Sequence, residues 1–476
     1  MLKIKSANFF LSALLFAAAV FFPSLAWASL ETAYDYTGHW AGYFSLGLFI
    51  LAYALVIVEE STNLRKSKPV ILAAAIIWLC VAYVYKQDGR AGEAAELLRH
   101  NFLEYAELAF FLLSAMTYIN TLAERNLFQA WRVKLVAMGF SYRALFWITG
   151  IMAFFLSPLA DNMTTALVLG AVVMAAGEGN PNFIAISCIN IVVAANAGGA
   201  FSPFGDITTL MVWQKGMVTF FEFFKLFIPA LLSWLVPAFL MSLAIKNNTL
   251  PVISNHGIKI KKGGIVIALM FLFTIAMTVT VHNTFDLPPF FAMMTGLGLL
   301  MCYSYFIRLV ELKMLNSSHE LAADWNMHAL KPFDIFISIR RAEWDTLIFF
   351  YGIILCVGGL AALGYLSGLS HYIYGHLGAT GANILVGFLS ALIDNIPVIF
   401  AVLTMDPEMT SGQWLLVTLT AGIGGSLLSI GSAAGVALMG QAKGVYTFSS
   451  HLKWFWAIAL GYGAGIGSHI LINTLN

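Results

Sequence analysis

This sequence predicts an all-α polytopic membrane protein: two inverted-topology repeats with about ten transmembrane spans, two re-entrant hairpins and two broken helices. Three observations lead there. Of the 476 residues 60% are apolar and only 10% charged, with a mean hydropathy of +0.83, and many apolar runs are long enough to cross a hydrocarbon core. An Asp–Asn pair near a proline stands in the middle of two such runs, at Asp161 and Asn162 and again at Asp394 and Asn395. The Lys and Arg residues fall between the runs and are dense in alternate loops.

The chain opens with Lys3 and Lys5, an apolar run from Phe9 to Phe22, and then Ala26, Trp27 and Ala28. Residues 1–28 therefore read as a signal peptide cleaved before Ser29, with an uncleaved first helix as the alternative. Full spans follow near 42–58, 69–85, 104–122, 183–217, 223–246, 264–281, 290–307, 344–364, 412–440 and 454–474. Segments 144–177 and 381–404 each hold an Asp–Asn pair at mid-length, so each reads as a re-entrant hairpin covered by protein rather than as a crossing. Segments 183–217 and 412–440 are interrupted by glycines and hydroxyl residues and read as broken helices. The polar stretch 308–343 is a cytoplasmic connector. Cys80, Cys188, Cys302 and Cys356 lack metal or redox spacing and read as small core residues.

Orientation follows from charge, because cytoplasmic loops are rich in Lys and Arg. If Ser29 starts outside, the inner loops at 65–68, 125–143, 246–262, 308–341 and 443–453 take most of the 25 basic residues. The outer side keeps only Lys86, Arg90, Arg99, Lys215 and Lys225. This orientation leaves both mature termini outside the cytoplasm, and the charge distribution gives no sign of nucleic-acid binding.

The two halves, 29–250 and 251–476, share three anchors in the same order. Glu104 matches Glu343, Asp161 matches Asp394, and Gly198 with Gly199 match Gly424 with Gly425, at offsets of 239, 233 and 226. By the charge argument the segment beginning at Glu104 enters from outside and the one beginning at Glu343 from inside, so the halves are inverted. Secondary transporters built this way place their site where broken helices meet near the midplane.

Asp161 and Asp394 are the foremost candidates. At membrane depth a proton and a metal cation compete for one carboxylate, which is sufficient for exchange. The competing reading is that each only caps a half-helix. Asn162 and Asn395 offer carbonyl oxygens and Ser157 and Ser390 offer hydroxyls, the donors a small hard cation takes, though capping would explain them too. In the first broken helix Asn196, Asp206 and Thr208 stand beside freed backbone carbonyls; in the second, Ser429 and Ser432 take their place, with Ser432 where Asp206 stands. Small residues also serve close packing, so a structural role is open for each. Glu343, Asp345 and Thr346 begin one span and Glu104 and Glu107 begin its counterpart; helix-end electrostatics is the alternative there.

With these residues in view, the chain resembles the NhaD-type sodium/proton antiporters of the ion transporter superfamily over essentially its whole mature length. The resemblance implies exchange of cytoplasmic Na+ (and Li+) for external H+, with no cofactor. It also implies a Na+ site at Asp161, Asn162, Asp394 and Asn395, and important polar positions at Glu104, Asn196, Asp206, Thr208, Glu343, Asp345, Thr346, Ser390, Ser429 and Ser432. The expected partners are the lipid bilayer and small inorganic cations; inverted-repeat transporters are often dimers, which leaves a homodimer open. Carboxylate carriers of the superfamily place neutral Ser, Asn and Thr where aspartates stand here, and arsenite exporters carry Asp–Asn-like signatures, so both remain alternatives. An intramembrane aspartyl protease using Asp161 and Asp394 is a third; its Gly-x-Gly-Asp motif has its nearest match at Pro203, Phe204, Gly205 and Asp206, which fails at the first position.

Overall fold

The computed structural model describes residues 35–473 apart from 58, 63, 178, 246–257 and 320–331. The leader at 1–28 lies outside the described residues. Regular structure among them is helical: α1 (Trp40–Ile57), α2 (Ser67–Gln87), α3 (Ala91–Glu124), α4 (Leu127–Ala137), α5 (Tyr142–Ala160), α6 (Asn162–Ala176), α7 (Pro181–Gly199), α8 (Ile207–Gln214), α9 (Phe227–Leu243), α10 (Gly264–Phe285) and α11 (Pro289–His319). There follow α12 (Ile335–Arg340), α13 (Trp344–Ala362), α14 (Tyr365–Leu392), α15 (Asn395–Met405), α16 (Ser411–Gly424), α17 (Ala433–Gln441), α18 (Phe448–Leu452) and α19 (Phe455–Ile472). Among the described residues 11 helices are long and apolar enough to cross a membrane. The protein is thus an all-α polytopic membrane protein.

Each expected span is a helix, with three differences. Helix α3 begins at Ala91 rather than near 104, and α11 runs on to His319, so the connector starts as helix. Residues 365–380, which lack an apolar run because Ser367, Ser370, His371 and His376 interrupt it, are helical as well. Gly378, at φ 66, separates this stretch from the first arm of the second hairpin. Cys302 is exposed, whereas the other three cysteines are buried as expected.

The breaks have local causes. Helix α5 starts on Ser141, whose hydroxyl accepts from the Ala144 N–H, and ends at Asp161, at φ 57 and ψ 162. A non-glycine residue there is strained, and the new helix α6 starts on that same residue. Helix α7 starts with an Asn180 cap and Pro181 at its first turn. From Phe183 to Gly199 every residue of α7 is buried, as is every residue of α16 from Gln413 to Gly424. A helix apolar on all faces belongs inside a bundle. Helix α10, by contrast, buries one stripe (Ile267, Phe271, Thr274, Thr278) and turns Leu269, Leu272 and Phe273 outward, as a lipid-facing helix does.

The chain forms two compact units. The first holds α1, α2, the start of α3, most of α13 and the start of α14. There the Trp78 indole N–H donates to the Leu355 carbonyl (2.8 Å) and the Tyr85 hydroxyl to that of Ala362 (2.9 Å), zipping α2 to α13. The second unit, residues 103–347 and 377–476, holds both hairpins and both broken helices. Within it, fully buried Arg125 pairs with Glu311 (2.7 Å) and lies 3.9 Å over the Phe333 ring, while Glu311 accepts from the Phe333 N–H. Arg125→Ala leaves that carboxylate unpaired, at a cost of about 3 kcal/mol. A lower melting temperature of the detergent-solubilised protein is expected, and no change would show that the pair holds nothing.

Backbones approach closely at matching places in the two halves. A Cβ on Gly198 would lie 2.1 Å from the Phe154 carbonyl oxygen, and one on Gly424 would lie 2.1 Å from that of Gly387. Phe154 and Gly387 are 233 positions apart, the same offset as the two Asp–Asn pairs. Gly198→Ala and Gly424→Ala are each expected to destabilise by about 1–3 kcal/mol or more through overpacking. Unchanged melting temperatures in both variants would show that the hairpin arms do not touch the broken helices there.

Candidate functional site

Four half-helices begin at one place in the second unit. Asp161 is the N-cap of α6, Asp206 of α8, Asp394 of α15 and Ser432 of α17. Asp161 accepts from the Thr164 N–H (2.7 Å) and hydroxyl (2.9 Å), Asp206 from the Thr208 N–H (3.4 Å), and Ser432 from the Gly435 N–H (3.3 Å). Helix N-termini carry partial positive charge, so carboxylates are stabilised at these ends. The capping role weighed for Asp161 is therefore present in the fold.

Asp206 is the hub. It is 5% exposed, and its Oδ2 accepts from the side-chain amides of Asn162 (3.2 Å) and Asn395 (2.9 Å), one from each hairpin. The Asn162 amide also donates to Asn196 Oδ1 (3.1 Å), and the Asn196 amide donates to the hydroxyls of Ser426 (2.8 Å) and Ser432 (2.9 Å) in the second half. One buried network thus joins both hairpin tips and both interrupted helices. Low dielectric strengthens each of these bonds and makes each loss costly.

Two further acids lie near the capping aspartates. Asp394 lies close enough to Asp206, and Glu343 close enough to Asp161, for the charges of each pair to repel when both are ionised. A like-charge pair takes up a proton or a cation to relieve that repulsion; Asp206 is buried, and Asp161, Glu343 and Asp394 are half-buried. The Thr346 hydroxyl donates to Glu343 Oε2 (3.2 Å). Among the described residues the hydroxyls of Ser157, Thr208 and Ser429 are buried without a hydrogen-bond partner. Each costs about 1–3 kcal/mol unless something else fills its lone pairs, and hydroxyl, carbonyl and carboxylate oxygens are what a hard cation binds.

The remaining candidates make contacts outside this network. The Ser390 hydroxyl donates to the Ala421 carbonyl (2.7 Å). Glu104 forms an ion pair with Lys215, with half-buried Glu107 one turn along α3. Asp345 is half-buried in the first turn of α13. Ser426 joins the network although its counterpart at the repeat offset, Ala200, carries no polar group, so no symmetry marks it in the sequence. Thr164, two residues beyond the Asp–Asn pair, holds Asp161 with both its N–H and its hydroxyl; its place in the first turn of a half-helix was the available signal.

A family model described as "Citrate transporter" matches residues 53–422. The chain is 53% identical over 457 residues to the Na(+)/H(+) antiporter NhaD of Vibrio cholerae, covering 94% of this chain and 96% of that protein. It is 51% identical to the protein of the same name from Alkalimonas amylolytica (97% and 95%) and 50% identical to that of Halomonas elongata (95% and 93%). Relatives named as antiporters place the chain among transporters rather than enzymes, which sets the protease reading aside. With identity of this degree across nearly the whole length, the chain belongs to the citrate-transporter family of membrane proteins and, within it, to the NhaD-type sodium/proton antiporters.

Proposed function

We propose that this chain exchanges cytoplasmic Na+, and Li+, for external H+ by alternating access to one shared site in a bacterial inner membrane, without a cofactor. The observation that carries the reading is the buried Asp206 carboxylate, bridged by both hairpin asparagines in a chain half identical to named sodium/proton antiporters. Asp206 with Asp394, and Asp161 with Glu343, each take a proton or a cation in competition. Sodium is held by carboxylate oxygens together with the side-chain oxygens of Asn162 and Asn395, and by the unpartnered hydroxyls of Thr208, Ser157 and Ser429. By the charge argument Glu343 begins its span at the inner face, so the Asp161–Glu343 pair is the cytoplasmic step of the route. The hairpins and broken helices of two inverted repeats, 29–250 and 251–476, move against the rest to change the side that is open. The matched close approaches at Gly198 and Gly424 support that repeat.

The family description favours one second reading, a carboxylate carrier. An anionic substrate placed beside Asp206 meets a buried negative charge, which is unfavourable by several kcal/mol at low dielectric unless a cation accompanies it. The test is proton flux in everted membrane vesicles with a pH-sensitive dye. Addition of NaCl or LiCl is expected to collapse the gradient, with KCl added in parallel to read the selectivity. No response to cations, with transport of citrate or arsenite instead, would overturn the reading while leaving the family assignment in place.

A further inference from the structure

Behind the site sits a histidine with no counterpart role in the exchange chemistry. His451, in the five-residue helix α18, is 0% exposed, and both ring nitrogens are engaged: Nε2 is 2.8 Å from the Ser426 carbonyl oxygen and Nδ1 is 2.8 Å from the Tyr446 hydroxyl. Tyr446 is buried too. Helix α18 is anchored at its start by a reciprocal capping box between Thr447 and Ser450. It lies in the 443–453 loop, outside the spans. Burial pushes the His451 imidazole down to about 4, so the ring is neutral and carries one proton. A carbonyl can only accept, so that proton is on Nε2, and Nδ1 accepts from the Tyr446 hydroxyl.

The residue that His451 holds belongs to the break in the second broken helix. Ser426 lies between Gly424, the last residue of α16, and Ser432, the N-cap of α17. Its hydroxyl accepts from the Asn196 amide (2.8 Å), and Asn196 leads through Asn162 to Asp206. An unwound stretch makes few hydrogen bonds of its own, so its carbonyls depend on outside partners. We propose that His451 is a positioning residue for the cation site: through the Ser426 carbonyl it sets the path of the broken segment, and through the Ser426 hydroxyl the orientation of Asn196. This inference rests on the function proposed above. Partners that orient a ligand shell without touching the ion typically govern affinity by about 10–100-fold.

The experiment compares His451→Ala, His451→Gln and Tyr446→Phe in everted vesicles and in hydrogen exchange of the purified full chain. His451→Ala is expected to raise the KM for Na+ by about tenfold or more while the maximal rate stays within about twofold. His451→Gln, whose amide can still donate to the carbonyl, restores most of the KM. Backbone amides of 425–432 exchange faster in His451→Ala. An unchanged KM and unchanged exchange protection would overturn the inference, and so would a loss confined to the maximal rate. Should His451→Ala fail to accumulate in the membrane, Tyr446→Phe decides, since it removes only the hydroxyl that fixes Nδ1: a raised KM supports the inference and a parental KM overturns it. A parent chain with no response to any cation would defeat the functional reading instead, and the exchange protection of 425–432 would still decide this one.

Discussion

Asp206→Asn is expected to abolish the cation-driven collapse of a proton gradient. The two amides that converge on this carboxylate, from Asn162 and Asn395, are then left with a neutral, weaker acceptor. The variant removes the negative charge that a cation would meet, and a nearby opposite charge shifts such a binding equilibrium by about 10–1000-fold, so cation occupancy is expected to fall by roughly 100-fold. The variant also removes the repulsion between Asp206 and Asp394 that a proton or cation would relieve. Dye-reported Na+/H+ exchange in everted vesicles is the measurement, with membrane abundance as its control. Exchange at the parental rate would remove Asp206 from the mechanism and reduce it to the cap of α8.

The second large effect is expected at Asp161, where cap and charge can be separated. Asn at this position keeps an oxygen to accept from the Thr164 N–H and tolerates a positive φ better than most residues. Asp161→Asn is therefore expected to fold, with a melting temperature near the parent's, yet to lose exchange by about 100-fold because the competition between proton and cation is gone. Asp161→Ala loses the cap as well and keeps the strained φ of 57, each worth about 1–2 kcal/mol. It should be less stable than Asp161→Asn while being no more active. Full transport by Asp161→Asn would show that this residue only starts α6.

Much of the candidate site was legible because its signals are local. A carboxylate in an apolar run stands out in the sequence by its cost, and Asp161, Asp206 and Asp394 are three such residues. Glycine, proline and hydroxyl residues within such runs marked 183–217 and 412–440 as interrupted, and both are interrupted helices in the fold. Residues 365–380 were not legible, since a helix with polar residues on several faces leaves no apolar run to find. The partner of Ser390 was not legible for a different reason: its hydroxyl donates to the Ala421 carbonyl, on a helix 31 positions further along the chain.

By itself the sequence determined that the chain is a membrane protein, where most of its apolar helices fall, and which acids interrupt apolar runs, because apolar length and the cost of buried charge are properties of short stretches. Only the tertiary structure decided which of those groups meet. Asp206 and Asn395 are 189 positions apart and Asn196 and Ser426 are 230 apart, and no pattern in the sequence encodes such contacts. They form because the fold brings four helix N-termini together in an interior where an unmade hydrogen bond is costly, so the polar side chains at those ends pair with one another.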